Sequence, residues 1–379
     1  MGALRHEEAW QMKKIVSLAL LLLLAAISSG CSALIELPDE LEKNDQTAAV
    51  SEEEPFEGPA EKAKAPRGIK VALVPAQASL SGCIVPCEAI EEIGERYEWD
   101  VQTFDGKGTP DEQNTSIMNA VAWEADIIIT VSLDARSVQQ GIQAANDAGI
   151  PIVSGSNGTD DPNPRLDLEE EGLLDFAFDV GPDYYALGEA MAEWMDENID
   201  GSGEVVVYSC PGSYSVEYFE DGLLGKIDDT SLSLDEELQY FTFEQMGDEL
   251  NRMVIGYVTA HPETEFVFLP FDPAAVSVAE ALESVGIHDV KVCGVLGNEE
   301  MITLIRQGTV AACTAAYDNV YLGYATADQA IRLLNGQELA SPHGENLPYT
   351  IVDSSNLPEE GKAWAPNMDY KEAYYGLWD

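Results

Sequence analysis

From residue 69 onwards, short apolar runs alternate with stretches in which apolar positions recur at helical spacing. The first series predicts strands at Ile69–Val74, Val101–Phe104, Ile127–Val131 and Ile150–Ser154, and helices at Glu88–Tyr97, Asp111–Trp123 and Ala135–Ala148. The second series predicts helices at Ala186–Asn198, Val216–Ile227, Glu249–Ala260 and Ala274–Val285, and strands at Val205–Tyr208, Tyr240–Phe243, Phe266–Leu269 and Val290–Val295. Strands that alternate with helices are typical of βαβ crossovers and parallel sheets. The pattern therefore predicts an α/β protein with two doubly wound, Rossmann-like lobes. Ligands bind beyond the carboxyl ends of such strands, so two facing sheets would form a binding cleft.

The N-terminal residues have the composition of an export signal. Two lysines precede the apolar run Ile15–Ile27, which is too short to cross a hydrocarbon core about 30 Å thick but suits a signal peptide. The run is followed by Ser-Ser-Gly-Cys, which resembles the lipobox of bacterial lipoproteins. We therefore expect residues 1–31 to form a lipoprotein signal peptide with lipidation at Cys31. An ordinary signal peptide cut after Gly30 is the alternative.

The composition changes abruptly over residues 32–67. These residues are charged, interrupted by prolines and short of large apolar side chains, as in Glu52–Pro55 and Ala63–Pro66. Such a segment buries too little apolar surface to offset the entropy lost on ordering. We expect a disordered, acidic, proline-rich tether.

The charge balance narrows the range of partners. The chain has 69 acidic and 19 basic side chains, a formal net charge of −50. Nucleic-acid binding needs clustered Lys and Arg, and docking on an anionic membrane needs a basic patch. We expect no nucleic-acid partner and no membrane contact other than a lipid anchor.

Several segments resemble the type I periplasmic binding proteins, in particular the ribose-binding-like group. The segment Ala145–Val153 is similar to the family's third helix and fourth strand, with Gly149 suited to a left-handed helix end and Pro151 to the start of a strand. Further similar segments follow in the family's order, at Asp183–Gly188, Leu269–Ala275, Ile302–Ala312 and Ile351–Asn356.

The resemblance implies two lobes joined by a three-strand hinge. The N-terminal lobe would comprise residues 68–181 plus 317–345 and the C-terminal lobe residues 182–316 plus 346–357, followed by a tail at 358–379. The implied function is that of a monomeric, extracytoplasmic solute-binding lipoprotein on the outer face of the cytoplasmic membrane, or in the periplasm. It would capture a sugar-type or related small molecule and deliver it to the permease and ATPase subunits of an ABC importer. A ligand-sensing lipoprotein that feeds a receptor or histidine kinase is the alternative.

The resemblance assigns ligand contacts to Asp134, Asn157, Phe219, Asp272 and Tyr317. Asp134 and Asp272 each follow a predicted strand and precede a predicted helix, so helix capping is an equal alternative for both. Tyr317 occupies a hinge position where the family often has Gln, and its ring would stack on a ligand ring or pack the hinge.

Other positions depart from the sugar-binding pattern. Phe219 stands where the family has Arg, and Ser156 and Leu296 stand where it has Asp. The charged clamp for sugar hydroxyls is therefore largely missing. We expect a less hydroxylated or more aromatic solute.

The cysteines and histidines of the chain indicate which disulfide and which catalytic or metal sites it could form. An exported protein meets an oxidising environment, and the spacing of Cys83 and Cys87 predicts a local disulfide. Cys293 and Cys313 fall in strands and are expected to be buried as small apolar side chains.

The chain has four histidines and lacks a nucleophile elbow, a P-loop and a dinucleotide fingerprint. We therefore expect no catalytic site, cofactor or metal, with an enzyme as a remote alternative.

Overall fold

The computed structural model describes residues 54–160, 168–234 and 238–379. The predicted signal peptide, Cys31 and residues 32–53 lie outside the described residues. The strands are β1 (Lys70–Pro75), β2 (Asp100–Thr103), β3 (Ile127–Val131), β4 (Ile152–Gly155), β5 (Asp179–Val180), β6 (Glu204–Ser209), β7 (Ser233–Leu234), β8 (Gln239–Tyr240), β9 (Thr264–Phe268), β10 (Lys291–Leu296), β11 (Ala311–Tyr317) and β12 (Tyr349–Val352). The helices are α1 (Ser81–Tyr97), α2 (Pro110–Ala122), α3 (Gln139–Ala148), α4 (Tyr184–Glu197), α5 (Tyr214–Ile227), α6 (Asp248–Ala260), α7 (Asp272–Val285), α8 (Glu299–Gln307), α9 (Asn319–Leu334) and α10 (Tyr370–Trp378).

The strands form two sheets, one in each lobe. The first has the order β2-β1-β3-β4-β5 and is parallel throughout. The second has the order β12-β11-β10-β9-β6-β7, in which only β12 runs antiparallel to its neighbour, and β8 adds a short pairing to β6. The predicted architecture of two doubly wound α/β lobes is confirmed.

The central strands are apolar on both faces because helices cover both sides of each sheet. Every residue of β3 and of β9 is buried. This explains why these strands appear in the sequence as continuous apolar runs and not as alternating patterns. The turn between α3 and β4 also follows the sequence, since Gly149 takes a left-handed conformation with φ of 68° and ends the helix.

The chain passes between the lobes after β5, after β11, before β12 and again between β12 and α10, which packs on α9 of the first lobe. After the second passage, α9 returns to the first lobe and packs on α1.

Residues 54–67 pack on the first lobe, so this part of the predicted tether is wrong. Ala63 is fully buried, and its N–H donates to the Leu377 carbonyl at 3.1 Å. Arg332 of α9 donates through Nη2 to the carbonyl of Glu61 at 2.7 Å. The composition concealed this packing because backbone hydrogen bonds, small alanines and a single large apolar side chain, Phe56, hold the segment.

The predicted C-terminal tail, residues 358–379, ends in helix α10 on the same lobe. The Trp378 ring stacks on Tyr324 of α9 with centroids 5.9 Å apart. Its indole N–H donates to the carboxylate of Asp328 at 2.6 Å. The tail is therefore part of the core.

Three predicted elements have clearly different bounds in the structure. Helix α1 begins at Ser81 and not at Glu88, although Pro86, its sixth residue, cannot donate a backbone hydrogen bond within it. Helix α3 begins at Gln139 and not at Ala135. The predicted strand Tyr240–Phe243 is reduced to β8 and a short 3₁₀ turn.

None of the helices in the described ranges combines the length and the apolar character that a membrane crossing requires.

Candidate functional site between the lobes

A cavity of about 80 Å³ lies between the two lobes, at the carboxyl ends of the parallel strands. It is lined from the first lobe by Ala76, Leu80, Gly82, Cys83, Gln113, Ser132, Asp134 and Ser156, from the second lobe by Gly212, Ser213, Ser215, Val216, Phe219, Phe243, Pro270, Phe271, Pro273, Val295 and Leu296, and beside the chain crossings by Tyr184 and Tyr317. This is the position in which doubly wound sheets bind ligands. We call this cavity the interlobe pocket.

The wall from the second lobe is largely apolar. Phe219 of α5 stacks on Phe268 of β9, with ring centroids 5.2 Å apart and planes 10° apart. Phe271 stacks in the same way on Phe243, with centroids 5.6 Å apart. These pairs hold the aromatic rings rigid, so the wall has a fixed shape for an apolar ligand surface.

Leu296 completes this wall from the end of β10. Its backbone φ is 128°, a region that residues with a side chain rarely adopt. Strained residues of this kind persist where the surrounding structure holds them, often at binding sites. The Leu296 side chain lies against Gly82 of the first lobe, where an added Cβ would stand 3.2 Å from it.

Two tyrosines and a serine form a hydrogen-bonded cluster at the hinge side of the pocket. The Tyr184 hydroxyl donates to Ser156 Oγ at 3.0 Å. The Tyr317 ring meets Tyr184 edge to face, with centroids 5.9 Å apart. Burial raises the pKa of Tyr317 to about 12, so its hydroxyl stays protonated at physiological pH.

The opposite side of the pocket is closed by an ion pair between the lobes. Arg136, between β3 and α3, donates through Nη2 to Asp134 at 2.7 Å and to Glu217 of α5 at 2.8 Å. Its guanidinium also lies over the Tyr214 ring, 3.8 Å from the centroid. Burial lowers the pKa of Arg136, but the bonds to both carboxylates raise it further, so the side chain remains charged.

A second hydrogen bond connects the lobes near Gly82. Asn298, which follows β10, donates through Nδ2 to Ser81 Oγ at 2.7 Å. Together with the Arg136–Glu217 pair, it holds the two lobes against each other across the pocket.

Three of the five residues assigned to the ligand by resemblance line the pocket: Asp134, Phe219 and Tyr317. Both carboxylate oxygens of Asp134 accept hydrogen bonds from the Arg136 guanidinium. The backbone N–H of Arg136 also donates to Asp134 Oδ1 at 2.9 Å. Asp134 therefore stabilises the turn that precedes α3. Its capping alternative is wrong, because α3 begins at Gln139 with Val138 at the N-cap position, and its ligand contact stays a prediction.

Asp272 does not line the pocket, so its predicted ligand contact is wrong. It is fully buried, and it accepts hydrogen bonds from the Asn298 N–H at 2.7 Å and the Thr314 hydroxyl at 2.8 Å. The capping alternative is also wrong, because Phe271 occupies the N-cap position of α7. Asp272 instead fastens the loop after β10 to β11. Burial raises its pKa to about 7.

Asn157 is likewise absent from the pocket lining. It is buried, and its backbone N–H donates to Asp179 Oδ1 at 3.1 Å. The lining position after β4 is taken by Ser156, whose φ of 61° turns the chain there.

The predicted disulfide is also wrong. Cys83 and Cys87 are both free and lie one turn apart on α1, where Cys87 Sγ donates to the Cys83 carbonyl at 3.3 Å. Residues at this spacing have Cβ atoms about 5–6 Å apart, whereas a disulfide needs about 3.5–4.5 Å. Cys293 and Cys313 are fully buried on adjacent strands, as predicted. The described residues contain no group of three or more His, Cys, Asp or Glu suited to a metal ion.

Arg136 and Glu217 were missed by the sequence reasoning. One signal was present: Arg136 is one of only 19 basic residues, and it stands two positions after Asp134 at the end of a strand. Glu217 gave no signal, because one glutamate among 69 acidic residues carries no information about which partner it meets in space.

Comparisons with known proteins agree with this architecture. Residues 71–338 match the model of the family described as periplasmic binding protein domain. The chain is 22% identical to a xylitol-binding protein of Mycolicibacterium smegmatis over 65% of its own length and 67% of that protein's.

Solved structures show the same fold. An ABC transporter solute-binding protein of Mycobacterium smegmatis with bound glycerol aligns with a TM-score of 0.67 at 18% identity, over 79% of this chain and 100% of that one. One from Agrobacterium vitis with bound allitol aligns with a TM-score of 0.67 at 17% identity, over 77% and 97%. The family match covers most of the chain and includes strands of both sheets, β2 to β11 in full. The chain therefore belongs to the periplasmic binding protein domain family, whose members bind solutes outside the cytoplasm.

Proposed function

We propose that this protein captures a small molecule in the interlobe pocket and delivers it to an ABC importer. It would act as a monomer on the outer face of the cytoplasmic membrane, anchored by a lipid on Cys31, and dock on the permease subunits that work with the ATPase. Partitioning of the wild type into detergent, with release or loss of processing in Cys31→Ser, tests the anchor.

The observation that carries the proposal is the enclosure of one pocket by both lobes. Its lining comes from the carboxyl ends of strands in both sheets, and separate contacts fasten the lobes across it. A pocket built in this way opens and closes when the lobes rotate about the crossing strands. The solutes named for the similar proteins, xylitol, allitol and glycerol, are small neutral molecules, and the interlobe pocket is likewise a site for a small solute.

The solute itself would favour closure of the lobes. A solute in the pocket touches both lobes only when they are closed, so it shifts the population towards the closed form. The Arg136–Glu217 pair is also formed only when the lobes meet, and it stabilises the same form. A permease that recognises the closed form would thereby receive loaded protein.

The test is a thermal-shift screen against small sugars, polyols, alcohols, nucleosides and amino acids. Ser215→Phe places a ring in the pocket from a partly exposed position on α5. Ser284→Phe adds the same ring at an exposed position on α7 and is the matched control. We expect a solute that raises the melting temperature of wild type and of Ser284→Phe but not of Ser215→Phe. An equal rise in all three proteins would contradict binding in this pocket.

A further inference from the structure

The interlobe pocket differs in chemistry from a site for polyhydroxylated solutes. We propose that it takes a small, uncharged, mainly apolar molecule no larger than about a six-membered ring, and that Leu296 determines this specificity. This inference rests on the proposed function and names the class of solute.

Several polar side chains of the lining already have hydrogen-bond partners within the protein. Asp134, the only carboxylate among the described lining residues, has both of its oxygens bonded by Arg136. The hydroxyls of Ser213 and Ser215 lie 3.1 Å apart and bond to each other.

Three further polar side chains of the lining, Tyr184, Ser156 and Gln113, also have partners within the protein. The Tyr184 hydroxyl donates to Ser156, and Gln113 donates through Nε2 to the Ala76 carbonyl. A ligand with many hydroxyls would find few unpaired partners, and each buried hydroxyl without a partner weakens binding.

The interlobe pocket is also small. The pocket volume is about 80 Å³. An apolar protein cavity of about 150 Å³ is known to hold benzene. A ligand of benzene size therefore already requires the lobes to separate slightly, and a five-carbon or six-carbon polyol would require more.

Leu296 stands where the two lobes meet in the pocket. It reaches the pocket from a strained backbone conformation and lies against Gly82 of the opposite lobe. Strain at this point is consistent with a side chain whose placement matters for function. Leu296 thus forms an apolar contact between the lobes at the place where a ligand would meet both.

The experiment compares probes that differ only in hydroxyl number. Cyclohexanol and myo-inositol share a six-carbon ring, and propan-1-ol and glycerol share a three-carbon chain. Dissociation constants are measured by ligand-observed NMR titration of the full chain in detergent, with empty micelles as the blank. We expect cyclohexanol to bind at least tenfold more tightly than myo-inositol, and propan-1-ol more tightly than glycerol.

Variants assign the preference to the pocket. Leu296→Asn places an amide of similar size in the wall. We expect it to weaken cyclohexanol binding about tenfold. Val216→Thr, which keeps the shape of another lining residue, is the second variant and should weaken binding several-fold. Val285→Asn makes an apolar-to-amide change at a residue that is 54% exposed on α7, and should leave binding unchanged.

The outcomes separate this inference from the proposed function. Tighter binding of myo-inositol or glycerol, reduced by a pocket variant such as Ser215→Phe, would overturn the apolar preference while supporting solute binding. Failure of every probe to bind, or binding that no pocket variant changes, would overturn both.

Discussion

At the scale of single residues, buried carboxylates in this acidic protein serve structure more than ligand binding. Asp272 holds two segments of the second lobe together without a counter-ion, and burial raises its pKa to about 7. A pKa raised on folding means that the folded state holds a proton which the unfolded state releases at lower pH. The contribution of this group to stability is therefore complete below about pH 4 and is lost as the pH rises through about 7.

We predict that Asp272→Asn removes this part of the pH dependence. The amide keeps an acceptor for the Asn298 N–H, and its NH₂ can donate to the Thr314 hydroxyl. A shift of about three pKa units corresponds to at most about 4 kcal/mol. Urea unfolding between pH 4.5 and 7.5 should therefore show a smaller fall in the free energy of unfolding for the variant than for wild type. Asp100→Asn, at an exposed position, is the control for loss of one charge. Parallel pH profiles for all three proteins would show that Asp272 is charged throughout.

At the scale of elements, the two ends of the described chain form one layer of the first lobe. The segment at 54–67 lies along α9 and α10, and Phe56 meets the ring of Tyr374 edge to face at 5.1 Å. The ring of Tyr321, on α9, stacks on Tyr370 with centroids 4.4 Å apart. This aromatic layer ties the segment that precedes β1 to the last helix of the chain.

We predict that deleting residues 54–65 destabilises the fold. The deletion removes the carbonyl that Arg332 contacts and leaves the carbonyls of Leu377 and Trp378 without the N–H groups of Ala63 and Ala65. Each lost hydrogen bond costs about 1 kcal/mol, more where a buried group is left unpaired. We expect the melting temperature to fall by several degrees or more. Deletion of residues 35–46, of equal length within the rest of the predicted tether, is the control and should have little effect. Equal melting temperatures for the two deletions would mean that the packed segment contributes no stability.

The sequence predicted the sheets well because short, continuous apolar runs such as β3 are typical of strands that helices cover on both faces. It failed where the deciding partner is far away along the chain. Nothing near Asp272 indicates that it meets the Thr314 hydroxyl, and nothing near Ala63 indicates the carbonyl of Leu377. The apolar character of the pocket was partly predictable, because Phe219 and Leu296 replace charged residues of the family it resembles.

At the scale of the whole molecule, the closed arrangement is held by contacts that need no ligand. Arg136 joins the lobes through Glu217, and both side chains are partly exposed, at 29% and 18%. An ion pair in such a setting is worth at most about 1 kcal/mol, because solvent and salt screen it. The pair therefore biases the equilibrium towards closure without locking it.

We predict that Glu217→Gln increases the open population. A loss of up to about 1 kcal/mol changes the ratio of open to closed protein by up to about fivefold, and it weakens solute binding by at most that factor. Small-angle scattering should show a larger radius of gyration for the variant at low salt, and high salt should reduce the difference from wild type. Glu193→Gln removes an ion pair with Lys226 inside one lobe and is the matched control. Identical scattering of wild type and both variants would mean that the Arg136–Glu217 pair does not influence closure.

The most direct test of the central claim, that solute binds by closure of the two lobes on the interlobe pocket, is small-angle scattering during titration with a solute found in the screen. We predict that the radius of gyration of wild type decreases with the same concentration dependence as binding, and that Ser215→Phe shows neither compaction nor saturable binding. Saturable binding to wild type with an unchanged radius of gyration, and undiminished binding to Ser215→Phe, would contradict the claim.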